Sequence, residues 1–330
     1  MRTVITGGAG FIGLALAQRL ADLAGASDEI ILVDPLYRHG KRTELDRLLT
    51  DSRVRLVQAD LSLASSLDGV PVPVDRVYHL AARVGVGPVT AAPAQVLKIN
   101  TLSTLHVFDW FAAQASAVGR LVFASTSEVY SGADSHGFGL PVPTPEGVPA
   151  VISDLDNPRF SYALSKMWGE AYAKYLATNT TAHFAIVRFH NVYGPGMGYD
   201  HVIPQIIQRI RAREEPFRVI GAEQTRSFCW IGDAVESAHR IAESSGLASG
   251  MVVHVGNQNG EVEIGRLYEM LFELCGWTPP AKAIENAPAG SVSRRCPDVG
   301  RLRSLTGYEP STPLREGLER TVRWYLEKGP

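Results

Sequence analysis

Cysteine is scarce in this chain, and long apolar runs are missing. The three cysteines, Cys229, Cys275 and Cys296, lie far apart and form no Cys-x-x-Cys pair. This sparse, odd count argues against a disulfide framework or a cysteine zinc site, and it predicts a reducing, cytoplasmic setting. No run of about 18 apolar residues occurs, and the first residues already resemble a core strand. We therefore expect neither a membrane span nor a signal peptide.

A surplus of one charge is also missing. The chain has 32 Lys and Arg against 34 Asp and Glu, which gives a formal net charge of −2. Without a global positive field, we expect no nucleic-acid partner and no anionic membrane surface. Histidines at metal-ligand spacing are absent, so no metal site is predicted. The 330 residues suffice for two domains, or for one large α/β domain with an appendage.

Short apolar runs alternate with helical stretches over the first 190 or so residues, which predicts a doubly wound parallel α/β (Rossmann) sheet. The predicted strands cover 3–6, 29–33, 54–58, 76–80, 121–125 and 184–189, and the main helices 11–24, 94–117 and 161–177. The pattern breaks at Gly194-Pro195-Gly196. We therefore expect residues 1–194 to form mainly the cofactor domain and residues 195–330 mainly a smaller substrate-binding region, although the chain can cross back.

A glycine-rich turn lies between the first predicted strand and helix. Gly7, Gly10 and Gly13 give the spacing G-x-x-G-x-x-G, which lets backbone N–H groups and a helix N-terminus approach a pyrophosphate. Asp34 ends the second strand, where a carboxylate binds ribose hydroxyls and repels a 2′-phosphate. The pattern predicts NAD rather than NADP. Three basic residues that would suit a 2′-phosphate follow closely: Arg38, Lys41 and Arg42.

Tyr162 and Lys166 form a Y-x-x-x-K pair within a helical stretch, so both side chains share one helix face. An ammonium beside a phenol should lower the pKa of the phenol from about 10 and make it a general base. Thr126 ends the fifth strand, at the edge of the sheet where ligands bind. We expect the Thr126 hydroxyl to bind the same substrate oxygen as Tyr162.

Ten short motifs follow one another along nearly the whole chain. They are GGAGFIG at 7–13, Asp34, Asp60-Leu61, HLAA at 79–82, Asn100, STSEVY at 125–130, YALSK at 162–166, RFHNVYGPG at 188–196, RSFCWIGD at 226–233 and RCPD at 295–298. In this order they resemble the extended short-chain dehydrogenases/reductases, within the group of nucleotide-sugar epimerases, dehydratases and decarboxylases. The resemblance implies an NAD enzyme acting on a nucleotide sugar, and a homodimer formed by the helices at 94–117 and 161–177.

The resemblance also implies roles for matching residues. The pyrophosphate would be held by Gly7, Gly10, Phe11, Ile12 and Gly13, the adenosine ribose by Asp34, and the adenine by Asp60 and Leu61. Further cofactor contacts would come from Leu80, Ala81, Ala82, Asn100, Tyr162 and Lys166, of which Lys166 binds the nicotinamide ribose. The sugar nucleotide would contact Asn191 and Arg226 at its diphosphate, and Val202, Pro204, Phe217 and Val219 at its nucleoside.

The residues after Thr126 distinguish the reactions of this group, all of which begin by oxidation at sugar C4. The similar 4,6-dehydratases carry Asp-Glu there, whereas this chain has Ser127 and Glu128. Together with Arg295, this pair resembles UDP-glucuronate decarboxylases. Ser127 would bind the C6 carboxylate and Glu128 would assist proton handling at C5. Arg295 would orient the acid or bind the diphosphate.

Two alternatives stay open, a UDP-sugar 4-epimerase and, more remotely, a non-catalytic NAD-binding sensor. The chain departs from the family pattern near the expected substrate pocket. His190 stands in place of Phe, Ser131 in place of Gly, and the stretch 197–204 differs as a whole. We interpret His190 and His201 as pocket lining, and the identity of the sugar is left open.

Overall fold

The computed structural model describes residues 1–36, 43–114, 119–134, 139–287 and 291–328. In chain order, its strands are β1 (Arg2–Thr6), β2 (Glu29–Val33), β3 (Val54–Val57), β4 (Arg76–His79), β5 (Arg120–Thr126), β6 (His183–Phe189), β7 (Val192–Tyr193), β8 (Phe217–Ile220), β9 (Thr225–Ser227), β10 (Cys229–Trp230), β11 (Met251–Val255), β12 (Glu261–Glu263), β13 (Lys282–Glu285) and β14 (Arg294–Arg295).

The helices of the same ranges are α1 (Phe11–Leu23), α2 (Thr43–Leu48), α3 (Val86–Ala91), α4 (Pro93–Gln114), α5 (Ser131–Asp134), α6 (Phe160–Asn179), α7 (Val202–Arg211), α8 (Ile231–Glu243), α9 (Ile264–Leu274), α10 (Gly300–Thr306) and α11 (Leu314–Lys328). Short 3₁₀ segments cover Ala64–Leu67, Ser127–Tyr130 and Gln258–Gly260. None of the helices in these described ranges is long and apolar enough to cross a membrane.

A seven-stranded parallel sheet organises the molecule, with the strand order β11-β6-β5-β4-β1-β2-β3. Alternate residues of each strand face opposite helical layers, because successive side chains of a strand point to opposite faces. Ile5 packs with α1 and α8 on one face, and Val4 packs with α4 and α6 on the other. The structure confirms the doubly wound α/β prediction, and the predicted strands agree with the observed ones to within a residue or so at each end.

After Gly194 the chain returns once more to the main sheet. β11 pairs in parallel with β6 over five residues, and α8 packs on the same face of the sheet as α1. The helices α7, α9 and α11 enclose a separate apolar core together with β8. Part of the segment 195–330 therefore belongs to the sheet, and the rest forms the smaller region.

Candidate active site

The glycine turn between β1 and α1 forms a cradle that side chains would fill. A Cβ added to Gly13 would lie 2.2 Å from the Gly7 carbonyl oxygen, and one added to Gly7, whose φ is +68°, would lie 2.8 Å from the Ala81 nitrogen. α1 begins at Phe11 with Gly10 as its N-cap, and its first turn carries no acidic residue. The first N–H groups of a helix have no partner within the helix, so this end suits an anionic group such as a pyrophosphate.

The Asp34 carboxylate is anchored beside this cradle. Its two oxygens accept hydrogen bonds from the Ala9 N–H at 3.2 Å and the Leu36 N–H at 2.8 Å. Asp34 follows β2 directly, so the carboxyl end of the strand presents it to the place where a ribose would follow the pyrophosphate. The cradle and the acid together fit a dinucleotide. The basic residues Arg38, Lys41 and Arg42 lie outside the described residues.

Asn100 positions the loop that follows β4 on the other side of the cradle. Its side-chain oxygen accepts from the Arg83 N–H at 2.7 Å, and its amide nitrogen donates to the Arg83 carbonyl at 3.1 Å. The three residues preceding Arg83 are half-buried: Leu80, Ala81 and Ala82. Asn100 thus holds the backbone of this loop by hydrogen bonds, and its direct contact with the cofactor stays a prediction.

The predicted adenine contacts, Asp60 and Leu61, differ in how they are placed. Asp60 is half-buried and caps a turn by accepting from the N–H and hydroxyl of Ser62, at 2.9 and 2.8 Å. Leu61 is 3 % exposed and packs in the core beneath the sheet. The Leu61 side chain therefore serves the core, and only Asp60 presents a polar side chain here.

The structure brings together the three residues predicted to transfer protons. Thr126 ends β5, and its side chain is placed to lower the pKa of the Tyr162 phenol. Lys166 lies one turn further along α6, with its Nζ 5.8 Å from the Tyr162 ring centroid and 4.8 Å from that of Phe123. The fifth strand and the sixth helix thus place a phenol, a hydroxyl and an amine at one sheet edge.

The prediction that Lys166 lowers the pKa of Tyr162 is wrong. Burial, followed by the charge of Glu128, raises the pKa of Tyr162, and the hydrogen bond with Thr126 opposes this only in part. Burial also lowers the pKa of Lys166 to about 7, although Glu170 favours its charged form. Lys166 is therefore only partly protonated near neutral pH, and by itself it does not make Tyr162 a phenolate.

A charged cluster surrounds the Glu128 carboxylate. Arg295 Nη1 lies 2.6 Å from one carboxylate oxygen, and Arg159 Nη2 and Nε lie 2.9 and 3.1 Å from the other. The Ser131 hydroxyl joins them by donating to Glu128 at 3.0 Å while accepting from Arg295 at 3.0 Å. We call these four residues the Glu128 cluster. It connects the 3₁₀ segment after β5, α5, the start of α6 and β14.

The Glu128 cluster fixes the ionisation of its acid. Burial of Glu128 favours the neutral form, but the charges and hydrogen bonds of Arg295 and Arg159 outweigh it and hold the pKa well below the usual range. Glu128 is thus a carboxylate, an acceptor and not a proton donor. Sequence reasoning gave no role to Arg159 or Ser131. The spacing of Arg159, three residues before Tyr162 on one helix face, was the available signal.

Comparison with known proteins identifies the family of the chain. A model of the NAD dependent epimerase/dehydratase family matches residues 3–256. The chain belongs to this family. UDP-glucuronic acid decarboxylase 3 of Arabidopsis thaliana is 30% identical over 96% of this chain and 87% of its own length. UDP-N-acetyl-alpha-D-glucosaminuronate decarboxylase of Bacillus cytotoxicus is 28% identical over 99% of this chain and 98% of its own.

Among solved structures, the dTDP-glucose 4,6-dehydratase DesIV of Streptomyces venezuelae, crystallised with NAD, is similar to this member of the family. The TM-score is 0.85, with 28% identity over 99% of this chain and 98% of the other. The family and this relative confirm the predictions of an enzyme and of NAD as its cofactor. In the described ranges, no group of three or more His, Cys, Asp or Glu residues is arranged to hold a metal.

Behind the residues predicted to transfer protons in this family member lies a buried polar network. Arg188 on β6 pairs with Glu170 on α6, with an Nε–Oε1 distance of 2.8 Å, and also contacts the Tyr130 hydroxyl. Ser125 donates to Glu170, and the Tyr130 hydroxyl lies 2.7 Å from His254 Nε2. Glu170 follows Lys166 by one turn of α6, so the network supports the helix that carries Tyr162 and Lys166.

His190 borders this network without joining it. Its ring is 1 % exposed and packs edge-on against His254 with the centroids 4.6 Å apart. Both ring nitrogens are buried and have no hydrogen-bond partner in the described part of the chain. Burial and the nearby cationic groups, His254 first among them, hold the pKa of His190 well below its ordinary value. It is thus a neutral, unsatisfied imidazole.

The predicted diphosphate contacts lie close together but are engaged within the protein. The Asn191 amide donates to the Ser227 carbonyl at 2.8 Å. The half-buried Arg226 guanidinium donates to the carbonyl of Thr225 and the side-chain oxygen of Gln224, at 2.8 and 2.9 Å, and to the carbonyls at 292 and 293. Their contact with a diphosphate stays a prediction.

The residues predicted to contact the nucleoside lie partly at the surface and partly in the core. Val202 begins α7 and is 37% exposed, while Pro204 on its first turn is buried. Phe217 and Val219 alternate inward on β8, and Phe217 packs edge-on against Phe272. The structure does not bring the Phe217 or Val219 side chain to an open surface, because β8 directs both into the C-terminal core.

Proposed function

We propose that this enzyme decarboxylates a UDP-hexuronate, best UDP-glucuronic acid, and yields a UDP-4-keto-pentose, UDP-xylose or both. The observation that carries the proposal is the Glu128 cluster, which brings two guanidinium groups to the residues that would oxidise C4. Ser127 in place of the Asp of the dehydratases supports it. The names of the Arabidopsis and Bacillus relatives, both decarboxylases of acidic UDP-sugars, support it as well.

The protein would hold the cofactor through the Gly7–Gly13 turn and Asp34, with Lys166 on the nicotinamide ribose. When bound, NAD accepts a hydride from a sugar carbon and can return it. Tyr162 takes the proton of the C4 hydroxyl, and Thr126 fixes the direction of that hydroxyl by its own hydrogen bond. Lys166 alone does not secure the phenolate of Tyr162, and a bound oxidised nicotinamide, which carries a positive charge, would favour it.

Oxidation at C4 prepares the sugar to lose its C6 carboxylate as CO2. With a ketone at C4, the C6 carboxylate belongs to a β-keto acid. The C5–C6 bond breaks, CO2 leaves, and the bonding electron pair forms an enolate over C5, C4 and the C4 oxygen, to which a proton is added at C5. Ser127 and Arg295 would orient the carboxylate. Ionised Glu128 would accept a hydrogen bond from a proton-bearing group, such as a water. It would not itself donate the proton to C5.

The proposal is tested by incubating the NAD-loaded enzyme with UDP-glucuronic acid labelled with ¹³C at C6. We expect labelled CO2 and a UDP-pentose, identified by mass and NMR. A six-carbon UDP-galacturonic acid without CO2 would instead establish the 4-epimerase. Stable NAD binding with no reaction on any UDP-, dTDP-, GDP- or CDP-sugar would favour a sensor.

We further propose a homodimer in the cytoplasm. Apolar side chains of α4 and α6 line one shallow surface recess, including Leu97, Leu102, Leu164 and Trp168. Covering it with a second copy would remove this apolar surface from water. The cytoplasmic location is supported by the three cysteines, which are free, as is usual in a reducing compartment. Sedimentation velocity of the protein and of Trp168→Glu tests the dimer: the variant should sediment as a monomer, and an unchanged dimer would place the interface elsewhere.

A further inference from the structure

Glu170 is a buried acid to which the proposed reaction gives no role. It follows Lys166 by one turn of α6, and it is 5% exposed. Its carboxylate oxygens accept hydrogen bonds from Nε and Nη2 of Arg188 and from the Ser125 hydroxyl. Removing two charges from water is costly, and well-packed apolar residues often replace a buried ion pair without loss of stability. The Glu170–Arg188 pair therefore calls for a reason beyond packing.

Lys166 is a buried amine surrounded mainly by uncharged groups. It is 2% exposed, and its Nζ lies over the Phe123 ring of β5. The neutral Tyr162 phenol faces it from its own helix, and the neutral His79 ring lies near it on β4. Asn100, which reaches α6 from α4, is uncharged as well. Because burial disfavours the charged form of an amine, these neighbours leave the ammonium poorly supported.

Glu170 is the one acidic group of the described residues that acts on Lys166. Its partner Arg188, on the neighbouring strand β6, extends from Glu170 to the Tyr130 hydroxyl and to the Glu146 carbonyl, the latter at 3.2 Å. The ion pair thus has its negative member on the helix of Lys166 and its positive member on the strand. Since a charge acts more strongly at short range, the carboxylate outweighs the guanidinium at Lys166.

We propose that Glu170 is a positioning residue whose carboxylate, fixed by Arg188, keeps Lys166 in its ammonium form during the reaction. The ammonium has three N–H donors for a nicotinamide ribose. Its charge adds to that of a bound oxidised nicotinamide in favouring the Tyr162 phenolate. Glu170 acts through Lys166 and exchanges no proton itself, because both of its oxygens are engaged. The inference rests on the proposed function and adds a residue that neither the sequence pattern nor a named relative assigns.

The first test is the pH dependence of sugar oxidation, followed by NADH absorbance in a single turnover of the NAD-loaded enzyme with UDP-glucuronic acid. Glu170→Gln keeps the size of the side chain and removes its charge. At pH 6 most of Lys166 is protonated in the parent and much of it in the variant, so the two rates should agree within about twofold. At pH 8 the variant should be roughly tenfold slower, because more of its Lys166 is neutral.

Arg188→Lys is the matched control for damage to the network. It keeps a positive partner for Glu170 but loses the paired hydrogen bonds of the guanidinium. Its thermal stability should fall, while its ratio of rates at pH 8 and pH 6 should equal that of the parent. If Glu170→Gln fails to fold because Arg188 is left unpaired, the double variant Glu170→Gln/Arg188→Gln removes both charges and should show the same loss at pH 8.

The second test needs no sugar and measures denaturant unfolding against pH. A lysine of the unfolded chain keeps its proton up to about pH 10.4, whereas folded Lys166 releases it near pH 7. Between these values the unfolded chain binds more protons, so Lys166 makes the protein more stable as the pH rises. In Glu170→Gln this rise should begin at a lower pH. The difference between variant and parent should vanish when both also carry Lys166→Met.

A rate in Glu170→Gln that is unchanged, or lowered equally at pH 6 and pH 8, would overturn the inference, as would an unfolding profile in which the rise begins at the parent's pH. The fate of the inference is separate from that of the proposed function. If no nucleotide sugar is oxidised, the proposed function fails and the unfolding experiment still decides the role of Glu170. If CO2 is released and both pH profiles are those of the parent, the reverse holds.

Discussion

The glycine cradle and the Glu128 cluster are built by opposite means. The cradle consists of backbone within seven consecutive residues and depends on side chains that are missing, as at Gly13. The cluster consists of charged side chains drawn from positions 128, 131, 159 and 295. The cradle is thus defined by its shape and the cluster by its charges. We therefore expect damage to the cradle to affect binding of the cofactor, and damage around the cluster to affect chemistry or choice of substrate.

The largest effect that separates the two regions should come from Tyr162→Phe. Loss of a general base costs roughly 100- to 10,000-fold in rate, whereas NAD affinity should stay within about threefold because the cradle is untouched. Single-turnover kinetics and NAD titration measure the two quantities. Tyr175→Phe is the control, since Tyr175 lies on the same helix but is 69% exposed. Native turnover in Tyr162→Phe would remove Tyr162 from the role of base.

The converse variant is Gly13→Ala. The added Cβ meets the Gly7 carbonyl oxygen at 2.2 Å, so the turn must shift, and overpacking of this kind costs about 1–3 kcal/mol. NAD affinity should fall roughly 5- to 150-fold, with much of the rate restored at saturating NAD. In the control Gly69→Ala, an added Cβ meets nothing within 4 Å. Equal affinity of the two variants for NAD would show that the cradle does not hold the cofactor.

A smaller effect is expected from Asp34→Asn, which removes charge from the cradle. The amide can keep one backbone contact, but it no longer repels a 2′-phosphate. The preference for NAD over NADP should narrow by about tenfold, as measured by titration with both reduced cofactors. A native enzyme that binds NADP more tightly than NAD would contradict the assignment of Asp34.

An effect on stability alone is expected from His190→Phe. It removes two buried nitrogens that have no hydrogen-bond partner among the described residues, so the free energy of unfolding should rise by about 1–3 kcal/mol at neutral pH. The unfolded imidazole binds a proton below about pH 6.5, while the folded one does not. His190 therefore makes the native protein less stable as the pH falls below that value, and His190→Phe should weaken this acid dependence.

His79→Phe is the matched comparison for His190→Phe. His79 is equally buried, but both of its nitrogens are partnered, by Thr6 at 2.7 Å and Thr104 at 3.2 Å. This variant should be destabilised, because two hydroxyl groups lose their partner. Denaturant unfolding of both variants checks the contrast. A loss of stability in both would mean that His190 has a partner in solution.

The difference between the two regions also explains what could be predicted from the sequence. The cradle and Asp34 lie within a short stretch whose strand and helix signals are local, and the Tyr162–Lys166 pair lies within one helix. The Glu128 cluster could not be predicted as a whole, because the return of β14 beside residue 128 is a tertiary event. The raised pKa of Tyr162 could not be predicted for a related reason. It is caused mainly by burial, which depends on tertiary packing and not on the spacing of Tyr162 and Lys166 along the helix.

The return of β11 to the sheet constrains how the chain folds as it is made. β6 is completed at Phe189, but the strand that covers its outer edge begins only at Met251. Until about sixty further residues have been synthesised, the nascent sheet exposes a long apolar edge of the kind that pairs with other chains. The main sheet is thus not complete until residue 255 has emerged, and a fragment cut at residue 194 should aggregate.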